Sequence, residues 1–218
     1  MALANSLLFY LITDGEPSRL PETAARALDR GATAVQLRAK GLADRELYAL
    51  GETLGRVIRF RGALFLINDR VDLAIALAAD GVHLGQDDLP VAVARSLLGP
   101  GKIIGLSVDN VAEALAGERA GADYLGAGPI YPTRTKLDAG QVCGTDGLRR
   151  ICAAVNLPVV GIGGIGPGRA APVLRAGAAG VAAASAVCGA PEPGAVAAAL
   201  RAELDQAAQT AAGGTNKN

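Results

Sequence analysis

Short apolar runs recur along this chain, each ending in a polar cluster and followed by a helix-like stretch. Eight stand out: LLFYLIT (7–13), TAVQLRA (33–39), ALFLIN (63–68), GVHLGQ (81–86), IIGLSV (103–108), DYLGAG (123–128), PVVGIGGI (158–165) and GVAAAS (180–185). Each has the length of a strand and is apolar at both alternating sets of positions, as parallel strands covered on both faces are. Between them lie segments such as LPETAARALDRG and DRELYALGETLGRVIRF. Leu28 running into DRGA, Leu115 into AGERAGAD, and RAGAAG at 175–180 look like helices stopped by glycine.

Strand then helix, eight times over, predicts one α/β domain, a (β/α)8 barrel of the TIM type, over residues 1–207, with 208–218 as a flexible tail. A doubly wound open sheet is the main rival. It would more usually have six strands, and no GxGxxG follows the first run here. A barrel places its chemistry at the C-terminal ends of the strands, so the residues just past each run are the candidates.

Run two ends in QLRAK, and alternation puts Gln36, Arg38 and Lys40 on one side of an extended chain. Two cations there suit a phosphate-bearing ligand; a solvated basic edge is the competing reading. Run three ends in Asn68 and Asp69, and run four in Gln86, Asp87 and Asp88. Neighbouring strands would bring Asp69 and Asp88 together, and two carboxylates plus ligand phosphates is how Mg2+ is usually held. For Asp88, a helix cap ahead of PVAVARSLL competes. Run five offers Ser107 as a donor to phosphate, and Asn110 as a cap for the next helix. His83, inside GVHLG, is expected to be a packed, hydrogen-bonded histidine. Run seven ends in GIGGIGPGR, with four glycines within six residues, and run eight ends at Ser185. Bare glycine lets backbone amides approach an anion closely, at the two strands where barrels commonly bind phosphate.

One connection breaks the rhythm. GPIYPTRTKLDAG, residues 128–140, is long, polar and cationic, where about 2–6 residues would do. Thr133 and Thr135 offer hydroxyls and Lys136 a charge, so the loop is expected to act as a lid over the anion-binding mouth.

Composition narrows the function. The chain has 218 residues, half of them apolar, with a formal net charge of zero. That speaks against an electrostatic nucleic-acid footprint. No apolar run approaches the ~20 residues of a membrane span, and the N-terminus lacks the positive region of a signal peptide. Cys143, Cys152 and Cys188 show no metal-ligand spacing, and with a single His in the chain they fit free thiols of a cytoplasmic protein.

In QLRAK, INDRVDLA, DGVHLGQDDLP, IGLSV, GPIYPTRTKLDAG and VVGIGGI, the chain resembles the thiamine phosphate synthase (thiamine-phosphate pyrophosphorylase) family. The matching pieces span nearly the whole chain to Ser185. The resemblance implies a transferase that joins 4-amino-5-hydroxymethyl-2-methylpyrimidine diphosphate to a thiazole phosphate, giving thiamine phosphate and pyrophosphate. It implies that Gln36, Arg38, Lys40, Asn68, Ser107 and Lys136 bind the pyrimidine diphosphate, with Arg38, Lys40 and Lys136 catalytic. Asp69 and Asp88 would hold Mg2+, and Thr133, Thr135, Gly164 and Ser185 would surround the thiazole phosphate. The resemblance also implies a dissociative reaction, which needs cations and exclusion of water rather than a general base. Two positions depart from its pattern: Ala39, where an acid is common, and Asp109, where many relatives have His. A thiazole tautomerase and a non-catalytic phosphate-binding regulator stay open as alternatives. The sequence leaves the oligomeric state, including a homo-oligomer, open.

Lys136→Ala is expected to lower turnover by orders of magnitude while leaving the thermal unfolding midpoint nearly unchanged. An equal loss of stability in a melting curve would instead give Lys136 a structural role.

Overall fold

The computed structural model describes residues 3–133 and 141–214. The strands are β1 (Phe9–Ile12), β2 (Ala34–Leu37), β3 (Leu64–Asn68), β4 (Gly81–Leu84), β5 (Ile103–Val108), β6 (Tyr124–Ala127), β7 (Val159–Ile162) and β8 (Gly180–Ala183). The helices are α1 (Leu3–Ser6), α2 (Leu20–Leu28), α3 (Asp44–Phe60), α4 (Val71–Ala76), α5 (Val91–Leu98), α6 (Val111–Arg119), α7 (Gly144–Ala154), α8 (Ala170–Arg175), α9 (Ser185–Cys188) and α10 (Pro193–Gly214). All eight strands pair in parallel, in chain order, and β8 closes on β1 with Leu11 opposite Ala183. The expected (β/α)8 barrel is therefore what forms.

Each strand divides its residues between two cores. Phe9, Leu11, Val35, Leu37, Phe65, Ile67, Val82, Leu84, Leu125 and Val181 face outward into a continuous apolar layer under the helices. Tyr10, Ile12, Ala34, Leu66, Tyr124, Val160 and Ala182 face inward. The interior is narrow, so large residues there need small neighbours. Tyr10 is registered against Ala34 on one side and Ala182 on the other. Tyr124 lies opposite Gly105, where a Cβ would stand 2.1 Å from the ring. The two tyrosine rings meet edge to face at 6.1 Å and 69°, an arrangement worth about 0.5–1.5 kcal/mol beyond the area it buries.

The helix stops fall where the glycine signals put them. Gly31, Gly121 and Gly177, just past α2, α6 and α8, all have positive φ. At the N-terminal end of the barrel, two carboxylates hold the strands together. Asp80 accepts from the Phe65 amide at 2.8 Å, and Asp123 accepts from the Ile104 amide at 2.7 Å while pairing with Arg95 at 2.6 Å.

Helix extends the chain at both ends. Leu3–Ser6 form a helical turn ahead of the first expected strand run, and Leu3 and Leu7 pack against the inward-facing residues. α10 continues through residues 208–214, where a flexible tail was expected. No helix among the described residues is long and apolar enough to cross a membrane.

A Cβ at Gly81 would sit 1.9 Å from the carbonyl oxygen of Ile103 on the paired strand, so neither side can yield cheaply. Gly81→Ala is expected to cost ~1–3 kcal/mol or more in chemical denaturation. Gly101→Ala, which meets nothing within 4 Å, should stay within about 0.5 kcal/mol of the parent.

Candidate active site

The C-terminal ends of the strands surround a cavity of about 690 Å³. Gln36, Arg38, Lys40, Asn68, Asp69, Asp88, Ser107, Thr133, Gly164 and Ser185, all singled out from the sequence, line it together. Thr135 and Lys136, and with them most of the expected lid, lie outside the described residues.

β2 delivers its side chains as alternation requires. Leu37 and Ala39 pack outward into the apolar layer, leaving Gln36, Arg38 and Lys40 on the cavity side. Ala39, where the family commonly has an acid, therefore faces away from the cavity. The end of β1 fixes this edge. The Thr13 hydroxyl donates to the Arg38 carbonyl at 2.9 Å and accepts from its amide at 2.8 Å. Asp14 approaches the Arg38 guanidinium at 3.5 Å.

β3 and β4 build the acidic side. Asn68 is registered against His83, which sets the two following loops side by side. Asp69 takes φ 62°, in the left-handed region. A non-glycine residue there signals local strain held by its surroundings. Its carboxylate accepts from the Asn68 side-chain amide at 2.6 Å. Asp88 is not the cap of α5, whose capping position is Pro90 and carries no side-chain cap bond. Instead its carboxylate accepts from the Gly85 amide at 2.6 Å, folding back toward Asp69. The two carboxyls stand close enough to act on each other. Burial and then the neighbouring Asp88 carboxyl push Asp69 up to about 6, against the opposing pull of Lys40 and Asn68. Among the described residues no group of three or more His, Cys, Asp or Glu side chains is gathered to hold a metal.

β5 places Ser107 beside His83, with Nε2 and Oγ at 2.9 Å. His83 is buried and hydrogen-bonded as expected, and it also lines the cavity, which the sequence did not indicate. Asn110 caps α6 by accepting from the Glu113 amide at 3.0 Å.

β6 and β7 meet beyond their regular ends. The amides of Ile130 and Tyr131 donate to the carbonyls of Ile162 and Gly163 at 2.8 and 3.0 Å. Gly163 and Gly164 have φ 97° and 65°. A Cβ on Gly163 would meet Pro129 at 2.6 Å, and one on Gly164 would meet the Pro132 carbonyl at 2.7 Å. Both glycines are thus required by backbone conformation and by close approach. Arg169 was quoted in the glycine motif without a role. It stacks over the Tyr131 ring at 5.2 Å and donates to the Gly164 carbonyl at 3.0 Å. Ser185 opens α9 directly after β8.

The family model described as thiamine monophosphate synthase matches residues 9–187. The chain belongs to this family. It is 54% identical to the thiamine-phosphate synthase of Moorella thermoacetica, over 80% of this chain and 83% of that one. It is 52% identical to the thiamine biosynthesis bifunctional protein ThiM/ThiE of Symbiobacterium thermophilum, over 94% of this chain but only 42% of that longer protein. The solved structure of thiamine phosphate pyrophosphorylase from Pyrococcus furiosus superimposes with a TM-score of 0.88 at 44% identity, covering 94% of this chain and 98% of that one. The family match spans the cation edge, the aspartate pair and the glycine loop alike.

A folded-state value near 6 for Asp69, against 3.8 ordinarily, sets the sign of a pH effect. Between those values the folded protein keeps a proton that the unfolded chain has lost. The stabilisation is full below about pH 4 and disappears as pH rises through about 6. In chelator, the wild-type melting temperature should therefore fall over this interval relative to Asp69→Asn. Parallel pH profiles for the two proteins would remove the carboxyl pair as the cause.

Proposed function

We propose that this protein is a Mg2+-dependent thiamine phosphate synthase. It joins 4-amino-5-hydroxymethyl-2-methylpyrimidine diphosphate to 4-methyl-5-(2-phosphoethyl)thiazole, or its carboxylated form, and releases pyrophosphate. The observation that carries this reading is the make-up of one cavity. Arg38, Lys40 and an aspartate pair lie on one side, and a glycine loop with Thr133 and Ser185 on the other. Two anionic groups thus have two separate receptors facing a common space.

The reaction breaks the bond between the pyrimidine methylene carbon and the diphosphate oxygen, and the electron pair leaves with pyrophosphate. The electron-rich aminopyrimidine stabilises the cation left behind. The thiazole nitrogen then donates its lone pair to the methylene carbon. That nitrogen carries no proton, so no general base is needed. The protein's task is to stabilise the departing polyanion and exclude water. Arg38 and Lys40 supply positive charge at the leaving group, joined by Lys136 on the family pattern. Gln36, Asn68 and Ser107 offer polar contacts to the same substrate. Amides around Gly164, with Thr133, Thr135 and Ser185, hold the thiazole phosphate.

The donor set at Asp69 and Asp88 fits Mg2+. Two carboxyls close enough for one to raise the pKa of the other are placed to share a cation, and Mg2+ bound with substrate phosphates and water needs only one or two protein carboxylates. When bound, the ion would neutralise charge developing on the departing diphosphate. The tautomerase alternative is disfavoured. The chain's single His, His83, is engaged at both ring nitrogens, and Asp109 stands where that branch would use a histidine. The free thiols Cys143, Cys152 and Cys188 suit a cytoplasmic setting.

The test is to incubate the protein with both substrates and Mg2+ and follow thiamine phosphate by mass. Product should form and pyrophosphate should accumulate with it. Binding of both phosphates without product would favour the regulatory reading. Asp69→Asn should shift the Mg2+ titration to higher concentration; an unaltered titration would remove Asp69 from the metal site.

A further inference from the structure

A hydrogen-bonded chain crosses the barrel beneath the cavity. The Gln36 side-chain nitrogen donates to the Tyr10 oxygen at 2.6 Å. The Tyr10 and Tyr124 oxygens are 3.0 Å apart. Tyr124 reaches His83 Nδ1 at 2.8 Å, and His83 Nε2 reaches Ser107 Oγ at 2.9 Å. Tyr10 and Tyr124 are 1% and 0% exposed, so water does not compete for their protons. Burial holds both well above the ordinary phenol range, and both stay protonated.

The direction of the chain follows from proton counting. An amide nitrogen only donates, so Tyr10 accepts from Gln36 and must send its own proton to Tyr124. Tyr124 then sends its proton to His83 Nδ1. The opposite order would leave a buried Tyr10 hydroxyl proton with no acceptor, the costlier arrangement. With Nδ1 accepting, the neutral ring carries its proton on Nε2 and donates to Ser107 Oγ. The Ser107 carbonyl is occupied by the Gln86 amide at 2.6 Å. The Ser107 hydroxyl proton is then left to point into the cavity that Ser107 lines.

We propose that Tyr10 and Tyr124 are positioning residues that fix His83 in its Nε2-protonated tautomer and so present Ser107 to the substrate as a hydrogen-bond donor. A hydroxyl locked as a donor favours a ligand oxygen or nitrogen with a free lone pair, such as a diphosphate oxygen. The inference rests on the reading that Ser107 meets the diphosphate substrate.

His83 is the chain's single histidine, so 15N-histidine labelling of the whole protein gives one assignable ring spectrum. Near neutral pH, without ligand, Nδ1 should appear unprotonated and Nε2 protonated. A protonated Nδ1 with a bare Nε2 would mean that the bonds from Tyr124 to Ser107 run the other way, and would overturn the proposal. Tyr124→Phe should release the Nδ1 constraint and weaken binding of inorganic pyrophosphate with Mg2+ by ~3–10-fold. Tyr10→Phe, one bond further off, should keep the Nε2–H form. Ser107→Ala should weaken pyrophosphate binding by a similar factor to Tyr124→Phe while His83 keeps its Nε2-protonated form, with only the Nε2 signal shifted by loss of its acceptor. It also decides the link to the ligand should Tyr124→Phe not fold. Wild-type pyrophosphate affinity in Ser107→Ala would break that link. None of these readouts uses turnover, so failure of the synthase reading and failure of this one are distinguishable.

Discussion

Closing eight parallel strands on themselves sends every second residue into an interior too narrow for eight large side chains. The rest of this structure follows from that restriction. Two tyrosines fill the middle, and Ala34, Ala182 and Gly105 recede to admit them. Each tyrosine brings a hydroxyl that water cannot reach, so each must find a partner inside the barrel. The partners are Gln36 and His83, and through His83 the demand passes to Ser107 at the floor of the cavity. Packing in the barrel and polarity in the site are one problem with one solution.

Above that floor the cavity is divided electrostatically. One sector joins cations from β2 to a carboxyl pair from the ends of β3 and β4. The other, at β7 and β8, relies on backbone and hydroxyl groups. The carboxyl pair is costly alone, as the upward shift of Asp69 and its left-handed backbone both show. Such strain at a cavity wall marks a place organised for something other than stability.

Much of this was legible in the sequence because it follows from period and position. Runs apolar at both alternating sets of positions gave all eight strands, and polar residues just past them gave the cavity lining. The polar triplet Gln36, Arg38 and Lys40, two of them cations, needed only strand alternation. Tyr10 and Tyr124 were not legible, because a strand buried on both faces hides which face is the barrel interior. His83 looked like core for the same reason, and core it is, though it also borders the cavity. Asp14 was overlooked in TDGEP, whose residues all suit a turn, and the Leu3–Ser6 turn because LANS, four residues half of them polar, is too short to show a helical period. The α10 extension was missed because alanine-rich sequence suits a helix as well as a frayed end.

Gly163 and Gly164 leave no space between themselves and Pro129–Pro132. Arg169 and Tyr131 lock the same contact from the outer side. The root of the long loop and the glycine cradle therefore inherit each other's shape. Transplanting either one alone into another barrel would import a surface cut to fit a missing counterpart. For substrate-range engineering, the two loops form a single exchangeable cassette.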